Sequence, residues 1–262
     1  MKVAVIKLTS CSGCIQEVVK AIALNPKLLD VYEIAYFNEV TDPVENTGKY
    51  DIVFVEGSIT TKEQENIVKM LRDSTDFVVA IGTCAVHGGI QALRVGESIE
   101  DVKAYVYPRP ELIEVENDVK PLTSTTKVDI YIPGCPVDGN AVKSLLEKFA
   151  RGGLPIPIPE SVCGECKRKG IQCLVVSRST PCLGPLTISG CGATCPSFGR
   201  GCYGCYGLRG FDETLINVGN YIDLLSKLGL DRETAFSLLR AFSFKEYNRL
   251  VREQLKGGLN GA

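Results

Sequence analysis

Cysteine is the residue type that most constrains this chain, because its twelve copies follow a pattern that few folds require. Eight of them lie between Cys163 and Cys205 with the spacing C-x2-C-x6-C-x8-C-x8-C-x3-C-x6-C-x2-C. The other four are scattered, at Cys11, Cys14, Cys84 and Cys135. One cubane iron–sulfur cluster is held by four cysteine thiolates. Twelve cysteines therefore predict three clusters with no thiol left over, which is typical of a protein that transfers electrons.

Disulfide bonds and structural zinc are alternative roles for these cysteines. Disulfide frameworks are typical of small secreted domains, whereas this chain has 262 residues and begins without the apolar region of a signal peptide. Zinc is the stronger alternative, since cysteines in C-x2-C pairs also bind zinc. Against zinc, Cys173, Cys182 and Cys191 stand outside any C-x2-C pair, and His87 is the only histidine of the chain. The spacing by itself leaves zinc open.

Simple packing in a hydrophobic core is a third role, and the neighbours of the cysteines argue against it. The cysteines lie in turns rich in Gly and Pro, such as Ser12-Gly13, Pro133-Gly134 and Gly164-Glu165. Glycine lets the backbone approach a cluster closely and point N–H groups at its sulfurs. The turns therefore favour cluster ligands over packing residues.

Residues 1–150 alternate between strand and helix patterns. Short apolar runs rich in Val and Ile predict strands at residues 2–8, 31–37, 50–56, 76–82 and 128–133. Apolar residues at helical spacing predict helices at residues 14–24, 61–71 and 140–150. Continuous apolar strands that alternate with helices predict an α/β fold with a parallel sheet covered on both faces.

The four scattered cysteines follow strands of this predicted sheet. Cys11 and Cys14 follow the first strand, Cys84 the fourth and Cys135 the fifth. Ligands of open α/β sheets bind outside the carboxyl ends of the strands, so we expect these four side chains to converge on one cluster. The first strand is not followed by G-x-G-x-x-G, and no Walker motif occurs. We therefore expect no flavin or nucleotide in this chain.

The second half of the chain has a different composition. Residues 152–160 (GGLPIPIPE) predict a linker, which separates a domain at residues 1–151 from a domain at residues 161–262. Residues 161–210 are rich in Cys and Gly with little periodicity, so we expect metal clusters to supply their folding energy. Residues 212–255 return to helical patterns, and Ser243-x-x-Glu246 predicts a capping box before Tyr247, Leu250 and Val251. These helices are expected to cap the chain's own core.

Charge and hydropathy argue against two classes of partner. The formal net charge of −2 gives no indication of nucleic-acid binding. Charged residues and glycines interrupt each apolar run before it reaches the length that spans a membrane. We therefore expect no nucleic acid and no membrane among the partners.

The chain resembles the small subunit of nickel–iron hydrogenases over nearly its full length. Three motifs are similar to the family's proximal cluster site in a flavodoxin-like domain: Cys11-Ser-Gly-Cys14, Gly82-Thr-Cys84-Ala and Ile132-Pro-Gly-Cys135-Pro. Cys182-Leu-Gly-Pro185 resembles a turn of the distal site, and Cys202-Tyr-Gly-Cys205 resembles the end of the medial site. The resemblance implies a flavodoxin-like doubly wound parallel sheet, followed by a small irregular iron–sulfur domain with C-terminal helices.

The resemblance also implies how the twelve cysteines divide among three 4Fe-4S clusters. The proximal ligands would be Cys11, Cys14, Cys84 and Cys135; the medial ligands Cys191, Cys195, Cys202 and Cys205; and the distal ligands Cys163, Cys166, Cys173 and Cys182. Two positions depart from the better-known relatives. Cys163 replaces a distal histidine, and Cys195 adds a fourth medial ligand where many relatives have three and a 3Fe-4S cluster. A medial 4Fe-4S cluster of low potential suits a nicotinamide, ferredoxin or deazaflavin partner.

The function implied is that of an electron-transfer subunit, with no catalytic residue in this chain. H2 would be oxidised or produced at a nickel–iron centre in a separate large subunit. Electrons would pass to a flavin/NADP diaphorase-like subunit, with an additional iron–sulfur subunit, and sulfur reduction could use the same route. The absence of a twin-arginine signal implies a cytoplasmic enzyme, most similar to the delta subunit of soluble archaeal NADP-linked hydrogenases, the sulfhydrogenases.

Several alternatives stay open at this point. They are a deazaflavin- or heterodisulfide-linked hydrogenase, a stand-alone polyferredoxin-like carrier, and a subunit of a quinone-linked complex. Residues beside the cysteines also have two interpretations each. Glu17 and His87 are either ordinary polar residues of a helix and a turn or neighbours of the large-subunit interface. Lys167-Arg168-Lys169 either forms a solvated face or steers an electron partner.

Overall fold

Five strands pair into one parallel sheet in the computed structural model, which describes residues 1–42, 49–155, 160–209 and 218–258. The chain divides into two units, residues 1–156 and 157–262, and the sheet belongs to the first. The strands are β1 (Lys2–Lys7), β2 (Glu33–Phe37), β3 (Tyr50–Glu56), β4 (Thr75–Ile81) and β5 (Ile130–Ile132). All four pairings are parallel, in the order β2-β1-β3-β4-β5. This is the flavodoxin-like order, so the predicted fold is confirmed.

Helices cover both faces of the sheet. The first unit contains α1 (Gly13–Ala23), α2 (Lys62–Asp73), α3 (Gly82–His87), α4 (Ile99–Val106) and α5 (Gly139–Phe149). Val5 and Phe54 lie on the face that packs against α1 and α5, whereas Ala4 and Val53 lie on the face that packs against α2 and α3. Strands buried on both faces need apolar residues at every position. This requirement explains the continuous apolar runs of the sequence.

Element ends differ from the predicted ranges for identifiable reasons. The fourth strand was predicted at residues 76–82, but β4 ends at Ile81 because Gly82, with φ of +80°, turns the chain into α3. The second strand begins at Glu33 because a 3-10 helix occupies Pro26–Asp30. Helix α4 was not predicted at all. It buries none of its residues, so its sequence carries no core-facing pattern.

The second unit contains short helices where the sequence predicted an irregular segment. Its helices are α6 (Val162–Arg168), α7 (Leu174–Arg178), α8 (Thr194–Ser197), α9 (Val218–Lys227) and α10 (Arg232–Gly258). The first three have seven, five and four residues, which is too short for a periodic apolar pattern. None of the described helices is both long enough and apolar enough to cross a membrane.

Helices α9 and α10 pack on the cysteine-rich segment of the same unit. Leu225 of α9 and Leu239 of α10 share one apolar cluster with Leu183, Leu186 and Leu208. This cluster is the main hydrophobic core that the described part of the second unit contains. The two helices therefore cap the chain's own core, as expected from the sequence.

The predicted capping box falls at a break in the last helix. Ser243 has non-helical backbone angles inside α10, so two helical segments meet there. Its hydroxyl accepts a hydrogen bond from the backbone N–H of Leu208 at 3.1 Å. This is a tertiary contact and not the local cap that the sequence predicts. Tyr247 is buried. The side chains of Glu246, Leu250 and Val251, which the prediction also named, lie outside the described residues.

A carboxylate network offers a test of the first unit's stability. Glu65 of α2 lies 2.7 Å from Lys69, 3.0 Å from Lys120 and 3.1 Å from Lys62. Hydrogen bonds from these lysines lower the pKa of Glu65 from 4.5 to about 2. A lowered folded-state pKa stabilises the fold above the unfolded value, and this stabilisation disappears as the pH falls through the folded value.

We therefore expect Glu65→Gln to lower the melting temperature at pH 7 and to lower it much less at pH 3. Circular dichroism melts at the two pH values check this expectation. Glu63→Gln, at an exposed position of the same helix turn, is the matched control. An equal effect of Glu65→Gln at both pH values would contradict the role of the lysine network.

Candidate iron–sulfur sites

The four scattered cysteines meet at the carboxyl edge of the sheet. Cys11 and Cys14 lie where β1 leads into α1, Cys84 lies in α3 after β4, and Cys135 follows β5. Burial raises the pKa of the Cys14 thiol far above its ordinary value, and negative charge at Glu56, Cys84 and Cys135 raises it further. Charge at Cys11 acts in the same direction on Cys84 and Cys135. The four sulfurs are therefore close enough to interact with one another.

Two loops of this edge are joined by a pair of hydrogen bonds. The backbone N–H of Thr83 donates to the carbonyl of Gly134 at 2.8 Å. The N–H of Gly134 donates to the hydroxyl of Thr83 at 3.1 Å. These bonds join the turn after β4 to the turn after β5. Cys84 and Cys135, each one residue further along, are thereby held at a defined separation.

Hydrogen-bond donors also reach the sulfurs themselves. The backbone N–H of Val137 donates to Cys14 Sγ at 3.4 Å. Gln91 hydrogen-bonds to Cys84 and lowers the pKa of its thiol against the larger effect of burial. The amide of Gln91 donates in addition to the carbonyl of Thr9 at 3.1 Å, which fixes its position. Groups around the ligands orient them and tune the metal site that they form.

Glu56 is a residue of this edge that the sequence analysis missed. It ends β3 and is 2% exposed. Its two carboxylate oxygens accept hydrogen bonds from the backbone N–H groups of Cys14 at 3.2 Å and Ile15 at 3.1 Å. A carboxylate at a helix N-terminus is favourable, so Glu56 anchors the start of α1 and with it Cys14. The sequence did contain a signal for it, namely an acidic residue at the end of an apolar strand, at the edge where the predicted ligands lie.

The residues of this edge fit an iron–sulfur cluster. Glycines at positions 82 and 89 lie directly against the sulfurs; a Cβ at Gly82 would overlap Cys14 Sγ, and one at Gly89 would lie 2.7 Å from Cys84 Sγ. Burial raises the pKa of Cys84 to about 11, so its free thiol holds its proton at neutral pH. Metal binding requires thiolates and therefore releases protons. Such thiols suit a positively charged metal group, which compensates the negative charge of the thiolates.

All twelve cysteines are free thiols. Within the ranges that the structure describes, no three His, Cys, Asp or Glu side chains lie close enough to hold one metal ion.

Four cysteines of the second unit gather around α6. Cys163 and Cys166 lie one turn apart on α6, and Cys173 directly precedes α7. Gly184 lies between two sulfurs, since a Cβ there would be 3.3 Å from Cys182 Sγ and 3.5 Å from Cys163 Sγ. Burial raises the pKa of Cys163, and charge at Cys182 and Cys173 raises it further. These are the four cysteines that the resemblance assigns to the distal cluster.

The structure shows fewer interactions among the remaining four cysteines, which the resemblance assigns to the medial cluster. Burial raises the pKa of Cys202 to about 12, and charge at Cys182 and Cys205 adds to this effect. The backbone N–H of Cys202 donates to Cys182 Sγ at 3.2 Å, so the two predicted sets adjoin each other. Cys195 lies in α8. The assignment of Cys195 to the medial set, and the division into two sets, stay predictions.

The structure supplies partners for most of the other residues singled out in the sequence. Glu17 lies 3.4 Å from Lys20, as an ordinary helix-surface carboxylate would. His87 is the last residue of α3 and is fully buried. Arg168 donates to Glu160 at 2.7 Å, and Lys169 donates to the carbonyl of Gly192. Among the described residues, only Arg168 of the three is paired with a carboxylate, because the carbonyl of Gly192 is neutral and leaves the charge of Lys169 in place. Charge steering by this basic triplet would therefore depend on Lys167 and Lys169.

Comparison with known proteins identifies the family. The profile of NADH ubiquinone oxidoreductase, 20 Kd subunit, matches residues 11–149. Sulfhydrogenase 2 subunit delta of Pyrococcus furiosus is 35% identical over 241 residues, 91% of this chain and 98% of that protein. The chain belongs to the family of this profile, and it is a small subunit of the nickel–iron hydrogenase type. It is a subunit of an oxidoreductase that acts on hydrogen, and the catalytic site of such enzymes lies in the large subunit.

Two further matches extend this result. A subunit of the F420-non-reducing hydrogenase of Methanocaldococcus jannaschii is 32% identical over 281 residues, 94% of this chain and 96% of that protein. A solved actinobacterial-type NiFe-hydrogenase from Ralstonia eutropha has a TM-score of 0.57 at 17% identity, covering 100% of this chain and 92% of that one. The likeness to the solved structure shows a shared fold. The family profile ends at residue 149, before the eight clustered cysteines.

The close contact at Gly82 gives a direct test of the first site. We expect Gly82→Ala to cost the protein one cluster, about four irons and four sulfides per chain, because the new methyl group would occupy the place of Cys14 Sγ. Gly96→Ala is the matched control. Gly96 also has a positive φ, +106°, but a Cβ there meets nothing within 4 Å. Equal iron and sulfide contents in the two variants would contradict the assignment.

Proposed function

We propose that this chain is the electron-transfer small subunit of a nickel–iron hydrogenase that holds three 4Fe-4S clusters. The convergence of four cysteines from three distant turns at one sheet edge carries the proposal. Eight further free thiols in the second unit support it. A bound 4Fe-4S cluster supplies one-electron transfer, and the protein contributes the position, burial and hydrogen bonding of its ligands.

Each unit has its own share of the ligands in this proposal. Residues 1–151 hold the proximal cluster through Cys11, Cys14, Cys84 and Cys135. Residues 161–262 hold the medial cluster through Cys191, Cys195, Cys202 and Cys205, and the distal cluster through Cys163, Cys166, Cys173 and Cys182. Residues 152–160 are the proposed linker, of which residues 156–159 lie outside the described part of the chain. The reacting centre for H2 belongs to the large subunit.

The electron acceptor has two candidates. Similarity to a sulfhydrogenase delta subunit supports a cytoplasmic enzyme with a flavin/NADP diaphorase-like partner and an additional iron–sulfur subunit. A relative from a hydrogenase named for not reducing F420 is nearly as similar, at 32% against 35% identity. The second candidate is therefore the alternative left open by the sequence, a deazaflavin- or heterodisulfide-linked hydrogenase, and the name of this relative favours its heterodisulfide-linked form. Both candidates place the same clusters in this chain.

The metal content of the native complex tests the proposal. When the complex is purified anaerobically through a tag on this chain, we expect at least about twelve irons and twelve sulfides per copy of the chain, to which the partner subunits add their own, together with nickel in a larger partner. Elemental analysis, sulfide assay and electron paramagnetic resonance measure these quantities. Zinc without iron or sulfide would refute the cluster assignment. A chain that carries iron but purifies without nickel would instead be a stand-alone carrier.

The fourth medial cysteine generates a separate expectation. With Cys195 as a ligand the medial cluster is a 4Fe-4S cluster, and we expect its midpoint potential to lie near those of the other two. Cluster type and ligand charge move such potentials over roughly −700 to +450 mV. A redox titration followed by electron paramagnetic resonance measures all three. A medial potential far above the others, with a 3Fe-4S signal, would contradict the role of Cys195.

A further inference from the structure

Glu165 is a carboxylate inside the Cys163-Gly-Glu-Cys166 motif whose partners lie in a different cysteine-bearing loop. Its Oε1 accepts hydrogen bonds from the backbone N–H groups of Gly190 at 2.9 Å and Gly192 at 3.1 Å. Its Oε2 accepts one from the N–H of Ala193 at 3.1 Å. Cys191 Sγ lies 3.7 Å from the same Oε2. One side chain therefore binds three of the N–H groups that surround Cys191.

The backbone of this loop has a shape that needs such an acceptor. Gly190, Gly192 and Ala193 all have positive φ, at +130°, +64° and +52°. For Ala193 the left-handed conformation is unfavourable, and its side chain is fully buried. Successive N–H groups in left-handed and turn conformations point inward and form an anion-binding concavity. Without the carboxylate, these donors would lose their partner at the cost of an unsatisfied group.

The charge of Glu165 also reaches cysteines of both predicted sets. Its Oε2 lies 3.7 Å from the sulfur of Cys191. Glu165 also directly precedes Cys166 in the chain. A fixed negative charge beside a cluster disfavours the extra electron of its reduced form. The potential of a cluster depends on nearby charge and on hydrogen bonds to its sulfurs.

We propose that Glu165 is a positioning residue that holds the 190–193 loop, and with it Cys191, and that keeps the potential of the cluster bound by Cys191 low. The proposal rests on the proposed function, since it assumes that Cys191 is a cluster ligand. Glu165 acts in two ways. It fixes the backbone that presents Cys191, and it places a carboxylate charge 3.7 Å from the Cys191 sulfur.

The test compares three variants of the native complex, purified anaerobically. Glu165→Gln keeps an oxygen that can accept from Gly190 and Gly192 but removes the charge, so it should retain iron and sulfide while the potential of one cluster shifts upward. Glu165→Ala removes every acceptor and should lose about four irons and four sulfides per chain. Glu160→Gln is the matched control. It removes a nearby carboxylate charge, paired with Arg168 at 2.7 Å, without touching the loop.

Iron and sulfide assays and redox titrations followed by electron paramagnetic resonance decide the outcome. If both Glu165 variants match Glu160→Gln in cluster content and in all potentials, the inference is wrong. If Glu165→Ala fails to assemble, the potential measured for Glu165→Gln still decides. Failure of the proposed function is distinguishable, because it would show as a wild-type complex that holds no iron and sulfide beyond those of its partner subunits. Failure of this inference would leave the wild-type clusters intact.

Discussion

Parallel strand pairing is the constraint on which the first unit and its site depend. When strands run parallel, their carboxyl ends meet at one edge of the sheet, and every turn that leaves those ends starts there. Cys11, Cys84 and Cys135 are far apart in the chain, and only this alignment brings them together. Glu56 reaches the same edge because it ends β3, between β1 and β4. The fold thus brings the local Cys11–Cys14 pair together with two cysteines from distant turns, Cys84 and Cys135.

The second unit reaches a comparable arrangement by a different route. Its described core is small, and its cysteine segment is held by short helices and by backbone hydrogen bonds. In both units a glutamate accepts N–H groups from a turn that carries a cysteine: Glu56 for Cys14, and Glu165 for the loop of Cys191. A carboxylate can satisfy two or three such donors at once. It thereby fixes a turn that has few apolar side chains to hold it.

Burying many thiols close together has an electrostatic consequence. Burial and mutual repulsion raise the pKa of most of these cysteines, so they favour the neutral thiol until a positively charged group binds. Cluster formation must therefore be coupled to proton release and to the folding of the surrounding loops. Donors such as the N–H of Val137 and the amide of Gln91 act in the opposite direction, toward the thiolate.

The sequence by itself determined the five strands, the sheet class and the position of each scattered cysteine after a strand, because apolar periodicity is a local property. It did not reveal Glu56, Gln91 or Glu165. Their partners lie far along the chain, 42 residues away for Glu56 and Cys14 and 25 for Glu165 and Gly190. Only the tertiary structure decided those contacts and the adjacency of Cys182 and Cys202. The reason is that the packing of whole elements, and not the local residue pattern, determines which distant groups meet.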